Sequence, residues 1–151
     1  MESERAMEKR GILFVISGPS GAGKGTLVKA LLEKAGGQNL HVSVSATTRQ
    51  PRVGEVNGVS YWFVKREDFQ RMIDEDALLE WAEVYCNFYG TPYRAVEEQL
   101  QSGKNVILEI DIQGAMQVRA KFPTPYLLLL RRHPSRNLPI VFKNVVQIRL
   151  K

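Results

Sequence analysis

Apolar and polar positions along this chain fall into two rhythms. Residues 12–16 (ILFVI) form an unbroken apolar run of strand length, the pattern of a parallel strand buried on both faces. The stretch GTLVKALLEKAGG then sets Leu27, Ala30 and Leu31 at helical spacing and stops at Gly36-Gly37. HVSVSATTR alternates, with Val42, Val44 and Ala46 on one face and Ser43, Ser45 and Thr47 on the other, which reads as one half-buried strand. In GEVNGVSYWFV the Asn57-Gly58 pair between β-formers signals a two-residue hairpin. EDFQRMI places Phe69, Met72 and Ile73 on one helical face behind acidic residues suited to a helix N-terminus. YRAVEEQLQSG reads as a further helix closed by Gly103, NVILEID as a second buried strand, and GAMQVRAKF as a short helix. Pro123 and Pro125 bracket a turn before YLLLL, a third buried strand.

Strand, loop, helix and strand alternate at both ends of the chain, so the pattern predicts an α/β fold with a parallel core sheet flanked by helices. One domain is expected over the 151 residues. Its core lies at about 11–39 and 103–130, with an inserted lobe at about 40–102 that contains the β-hairpin, and a basic tail at 131–151. Neither a repeat nor a low-complexity segment interrupts it. Composition is globular, 44% hydrophobic and 25% charged.

The net charge of +5 changes meaning once it is mapped. Up to residue 130 there are 15 basic against 16 acidic side chains; beyond it there are six basic and none acidic. The basicity belongs to the tail, so the body carries no nucleic-acid signature and no nucleic-acid partner is expected. Apolar runs fall far short of the roughly 18 residues that cross a bilayer, so no membrane association is expected. The N-terminal stretch lacks the apolar segment of a secretory signal. The lone Cys86 forms no internal disulfide, which fits a cytoplasmic location.

Candidate chemistry starts with GPSGAGKGT: Gly18, Pro19, Ser20, Gly21, Ala22, Gly23, Lys24, Gly25 and Thr26. A glycine-rich turn after a buried strand and before a helix lets backbone N–H groups converge on phosphate oxygens. The helix N-terminus adds partial positive charge, and Lys24 reaches the outer phosphates. The common form of this loop has Ser or Thr directly after the lysine to hold Mg²⁺; here Gly25 stands there and Thr26 follows. The loop therefore points to a nucleoside triphosphate and leaves the reaction open. Downstream, Arg49 and Arg52 suit a second anion, because guanidinium forks grip phosphate bidentately.

Four motifs in order, SGPSGAGKGT, SATTRQPRVGEVNGVSYWF, LLEWAEVYCNFYGTP and ILEIDIQGA, closely resemble the guanylate kinase family over about residues 11–126. The resemblance implies a P-loop kinase fold whose inserted lobe binds GMP, with ATP as phosphate donor and Mg²⁺ as cofactor. Its Gly-Thr pair is shared with P-loop kinases of nucleoside monophosphates, where the metal is held largely through water by Thr26 and Asp111. By motif, Ser45, Arg49, Arg52 and Tyr61 would hold the GMP phosphate, with Tyr89 closing the pocket. Glu80 and Thr91 would read the base, and Asp111 and Gln113 would lie near the acceptor. Lys24, Arg49 and Asp111 would carry catalysis. Guanine offers N1–H and a 2-amino group as donors and O6 as acceptor, which a carboxylate and a hydroxyl complement; adenine does not. Read without the motifs, Arg49 and Arg52 are a solvated face, Tyr61 and Tyr89 core aromatics and Glu80 a helix-surface acid, while Asp111 has the alternative of a helix cap and Cys86 reads as a packing residue.

The resemblance ends after YLLLL. The family continues there into a turn, an Arg-rich lid and terminal helices, whereas this chain reads RRHPSRNLPIVFKNVVQIRLK. Pro134-Ser135 and Leu138 faintly echo the family turn, but Arg131, Arg132 and Arg136 match no lid motif. Two functions follow: ATP:GMP phosphotransfer, or a guanylate-kinase-like domain that binds nucleotide or a phosphorylated partner without turnover. The incomplete sheet edge invites self-association, and IVFKNVVQIRL could form a strand that covers it.

Overall fold

The computed structural model describes residues 9–19, 22–35, 39–122, 126–131 and 145–149. The expected stops and turns at Gly36-Gly37, Pro123, Pro125, Pro134-Ser135 and Leu138 lie outside them, as do Arg132 and Arg136. In chain order the elements are β1 (Leu13–Ser17), α1 (Lys24–Ala35), β2 (Leu40–Val42), β3 (Ala46–Thr47), β4 (Trp62–Phe63), α2 (Arg66–Asp74), β5 (Leu78–Val84), β6 (Asn87–Pro92), α3 (Tyr93–Gln101), β7 (Asn105–Ile110), α4 (Ile112–Lys121), β8 (Tyr126–Arg131) and β9 (Val145–Arg149).

The larger sheet has the order β2-β7-β1-β8-β9 and is parallel throughout. β1 is apolar up to Ser17, and β7 is apolar over residues 106–108, because each face of the sheet is covered there. Leu13 and Val15 join Val106, Leu108 and Ile110 on one face, against Val96 and Leu100 of α3 and Ala115 and Val118 of α4. Ile16 and Ile107 point to the other face, against Val28 of α1, with Leu27 and Leu31 partly buried beside them. Ala30, expected on that helical face, is exposed. Each such buried aliphatic side chain contributes roughly 1.5–3 kcal/mol. β1 is central and leads through α1 to β2 on one side, while the adjacent β7 leads through α4 to β8 on the other, so the carboxyl ends of β1 and β7 border a crevice where α/β folds bind ligands. On the far side, β9 pairs with β8 from Leu127↔Val145 to Arg131↔Arg149, so part of the basic tail does form a strand on that edge.

The smaller sheet has the order β4-β3-β6-β5 and packs on α2. Fully buried Phe69 of α2 lies against Ala46, Leu78 and Phe88 and stacks on Phe88 at 5.2 Å. α3 and β2, both within the stretch expected as the inserted lobe, instead join the larger sheet.

Three local expectations are corrected. HVSVSATTR is two strands in different sheets. β2 pairs with β7, Ser43 N–H still donates to Ile107 (3.0 Å), and β3 then pairs with β4 and β6. Period-two alternation passes through such a crossing unchanged. Asn57-Gly58 makes no hairpin. Asn57 Oδ1 accepts from the Phe63 N–H (2.9 Å) and Gly58 N–H donates to Tyr61 (2.8 Å), while β4 runs parallel to β3. The lobe's hairpin is β5–β6 instead, turning at Tyr85 and Cys86 with φ of 47° and 62°. Both residues are left-handed, as a two-residue type I′ turn requires. Cys86 is exposed there and does not pack.

Candidate active site

The first anion site is built where β1 gives way to α1. Ser17 ends the strand fully buried, Ala22 N–H closes a turn onto the Pro19 carbonyl (3.0 Å), and Gly23 takes φ of 92°, a left-handed conformation. α1 opens at Lys24, and the Leu27 N–H makes the first helical bond to Gly23 (3.0 Å). Lys24 Nζ donates to the Gly18 carbonyl (2.6 Å), which folds the ammonium back over its own loop. Gly25 and Thr26 are exposed on the first turn of α1. Ser20 and Gly21 lie outside the described residues.

Across the crevice, an open cleft of about 270 Å³ is lined by Ser45, Tyr61, Glu80, Ala82, Val84, Tyr89, Gly90, Glu109, Ile110 and Asp111. Five residues expected from sequence, Ser45, Tyr61, Glu80, Tyr89 and Asp111, therefore converge there although they span 66 positions of the chain. Tyr61 and Tyr89 meet edge to face at 6.1 Å. They line the cleft and are only partly buried, so they are not core aromatics. Thr91 is fully buried behind the lining, and its hydroxyl donates to Glu80 Oε1 (2.6 Å). Arg49 stands at the cleft's edge with its guanidinium 5.3 Å from the Tyr61 ring centroid and 5.9 Å from that of Phe63. Arg52 and Gln113 are exposed and outside the cleft lining.

Glu80 lies in the strand β5, not on a helix surface, and retains 6% exposure. Burial pushes its carboxyl above the ordinary range; the Thr91 hydroxyl opposes the shift and the Asp111 charge adds to it. Its second oxygen faces the start of α4: a Cβ on Gly114 would stand 2.7 Å from Glu80 Oε2 and 3.4 Å from Asp111 Oδ1. Only glycine leaves room for both carboxylates. Asp111 sits one residue past β7 and caps α4, Oδ1 accepting from the Gly114 N–H (2.8 Å). It is thus both the helix cap and a cleft residue.

Two contributors escaped the sequence reading. Glu109 is the exposed position in the otherwise buried end of β7, lines the cleft, and places Oε1 3.8 Å from where a Cβ on Gly25 would stand. A polar residue inside the apolar run VILEI was its signal. Gln117 grips the edge strand β5 through both its amide atoms, accepting from Trp81 N–H (3.0 Å) and donating to the Trp81 carbonyl (2.8 Å), and so fixes Glu80 against α4. Nothing in the one-dimensional pattern marks that pairing.

A glycine-rich loop at the end of a central parallel strand, facing an inserted sheet across a cleft, defines the P-loop α/β class of proteins. A family model described as guanylate kinase matches residues 10–144, and the chain belongs to the guanylate kinase family. It is 59% identical over 118 residues to a guanylate kinase of Caldanaerobacter subterraneus subsp. tengcongensis, covering 78% of this chain and 56% of that protein. Against a guanylate kinase of Syntrophomonas wolfei it is 56% identical over 124 residues, 82% of this chain and 63% of that one. The crystal structure of guanylate kinase from Anaplasma phagocytophilum superposes with a TM-score of 0.66 at 36% identity, covering 80% of this chain and 60% of that chain. The chain spans between half and two thirds of the length of these relatives. No helix among the described residues is long and apolar enough to cross a membrane.

Proposed function

We propose that this chain binds GMP in the cleft beneath the smaller sheet and takes part in phosphoryl transfer from ATP to GMP, giving ADP and GDP in the cytoplasm. The observation that carries the reading is the position of Glu109, which lines the cleft and at the same time approaches Gly25 of the phosphate loop. This supports the reading, because an acceptor in the cleft and a donor on the loop would share a wall, as an in-line transfer between two bound nucleotides requires.

Glu80, in its ionised form, accepts from guanine N1–H and the 2-amino group, while Thr91 holds the carboxylate in place. Arg49, Arg52, Ser45, Tyr61 and Tyr89 receive the acceptor phosphate. Lys24 leaves the Gly18 carbonyl for the donor's phosphates. An oxygen of the GMP phosphate attacks the γ-phosphorus, the bond to the β-phosphate's bridging oxygen breaks, and the electron pair leaves on ADP. No general base is needed, because a phosphate monoester with second pKa of about 6 is largely dianionic at neutral pH. Catalysis is then positioning and charge neutralisation.

Among the described residues no group of three or more His, Cys, Asp or Glu could hold a metal by itself. The donor set suits Mg²⁺, which keeps several waters and uses one or two carboxylates with substrate phosphates. Asp111 would take it through the oxygen not used as a cap, with Thr26 contributing through water. When bound it neutralises charge on the transferred phosphoryl group. Calorimetric titration with GMP and AMP, followed by a coupled assay of ADP release from ATP and GMP, tests the reading. Selective GMP binding with GMP-dependent ADP release is expected. Equal affinity for GMP and AMP would refute the base assignment, and GMP binding without ADP release would make the chain a binding domain.

A further inference from the structure

The strand β5 has a cavity on each side. Glu80 lines the cleft described above, while its neighbour Trp81 lines a second cavity of about 260 Å³ between α2 and α4, as successive side chains of a strand face opposite ways. The reading above gives this second cavity no role. Its floor is apolar, made by Met72 and Ile73 of α2 and by buried Leu78 of β5. Trp81 is 37% exposed and supplies an aromatic wall, held in place by Phe88, which meets it edge to face at 5.8 Å. At the mouth, Lys121 Nζ of α4 donates to Asp76 Oδ1 (2.7 Å) and to the Leu78 carbonyl (2.6 Å). Asp76 reaches the lysine from just past the C-cap of α2, at φ of 50°, a left-handed conformation that Asp adopts more readily than most side chains.

We propose that this cavity is an effector site for a small, flat, neutral heteroaromatic molecule that carries a carbonyl beside a ring N–H. An ammonium has three donors, of which Lys121 spends two, and Asp76 spends one of its two carboxylate oxygens. One donor and one acceptor are left side by side, the complement of a cyclic amide edge. The pair is neutral as a whole, so an anion would meet the charge of Asp76 and a cation that of Lys121, with no opposite charge left to offset either. The apolar floor and the indole wall suit the ring itself. β5 is the edge strand of the smaller sheet, gripped from outside by Gln117 at Trp81 and by Lys121 at Leu78. A ring seated between Trp81 and α2 braces the strand that carries Glu80, so less order remains for GMP to impose. This effector role rests on the reading of the cleft as a GMP site.

2-Quinolone, whose fused rings carry such an edge, and N-methyl-2-quinolone, which lacks the N–H, are the probes. Calorimetric titration is paired with the indole N–H resonances of Trp81 and Trp62. 2-Quinolone should shift the Trp81 resonance, leave that of Trp62 in place, and bind wild type about tenfold more tightly than its N-methyl form, as loss of a hydrogen bond to a charged group implies. In Asp76→Gly, where glycine keeps the left-handed turn, that difference should vanish. In Lys121→Met, 2-quinolone should weaken about tenfold. Saturating 2-quinolone should tighten GMP about fivefold, and GMP should tighten 2-quinolone by the same factor. No shift at Trp81, or an N-methyl difference that persists in Asp76→Gly, would overturn the site. A shift at Trp81 with GMP affinity unchanged or weakened would overturn the effector role. A wild type that binds 2-quinolone at Trp81 but binds no GMP would instead overturn the reading of the cleft.

Discussion

Replacing Glu80 by Gln separates what this residue costs the fold from what it offers a ligand. The carboxylate is almost wholly buried, one oxygen is taken by Thr91, and the other stands over Gly114 with Asp111 nearby. Guanine would bring two N–H donors to it, and hydrogen bonds to a charged group are worth about 1.5–3 kcal/mol each. Gln can satisfy Thr91 with its carbonyl but turns an NH₂ toward those donors. At least one such bond is lost, and GMP affinity should fall about 10- to 150-fold. Stability should move the other way. Because burial raises the carboxyl's folded pKa above its unfolded value, the group's favourable contribution is complete below the unfolded pKa and disappears as pH rises through the folded one. Wild type therefore carries a penalty at neutral and alkaline pH that Glu80→Gln lacks. The variant should melt higher than wild type at pH 8, with the gap closing as pH falls toward 4. In wild type, guanosine affinity should rise with pH over the same interval, since only the ionised form accepts both donors. Calorimetric titration and thermal melts at several pH values read both effects. A variant that binds GMP as wild type does, or that is less stable at every pH, would refute the reasoning.

Lys24→Ala should abolish ADP release in the coupled assay while calorimetry shows GMP binding intact, because the two anion sites belong to different elements; loss of GMP binding in a folded variant would contradict the two-site reading. Gly114→Ala places a methyl 2.7 Å from Glu80 Oε2, an overpacking of about 1–3 kcal/mol that the Glu80 side chain must relieve by moving. Selectivity for GMP over AMP should shrink, and an unaltered ratio would show that Glu80 does not need its present position. Cys86→Gly removes a left-handed non-glycine residue. Relief of about 1–2 kcal/mol less the entropic cost of glycine leaves a gain of about 0.5–1 kcal/mol, visible as a higher melting temperature, and a lower one would refute the strain argument.

The amino-acid pattern by itself determined the parts that depend on local order. The apolar runs at 12–16 and 106–108 mark strands covered on both faces, and the glycine-rich loop between strand and helix carries its chemistry in consecutive residues. The resemblance of the motifs around Arg49, Glu80 and Asp111 to a known family pointed to five of the side chains that line the cleft, since each motif is contiguous even though the cleft is not. Tertiary structure decided everything that depends on which strand lies beside which. Alternation through HVSVSATTR is identical for one strand or for two in separate sheets, so only the pairing of β2 with β7 and of β3 with β6 reveals the crossing. Asn57 spends its side chain on the Phe63 N–H, which removes the hairpin its dipeptide suggests, while Tyr85 and Cys86 turn a hairpin that no favoured dipeptide announces because the β5–β6 pairing holds them there. The closeness of Glu80 to Gly114, of Glu109 to Gly25 and of Gln117 to Trp81 spans 34, 84 and 36 positions respectively. Contacts at that range are set by how sheets and helices stack, and stacking energy leaves no periodic trace in the chain.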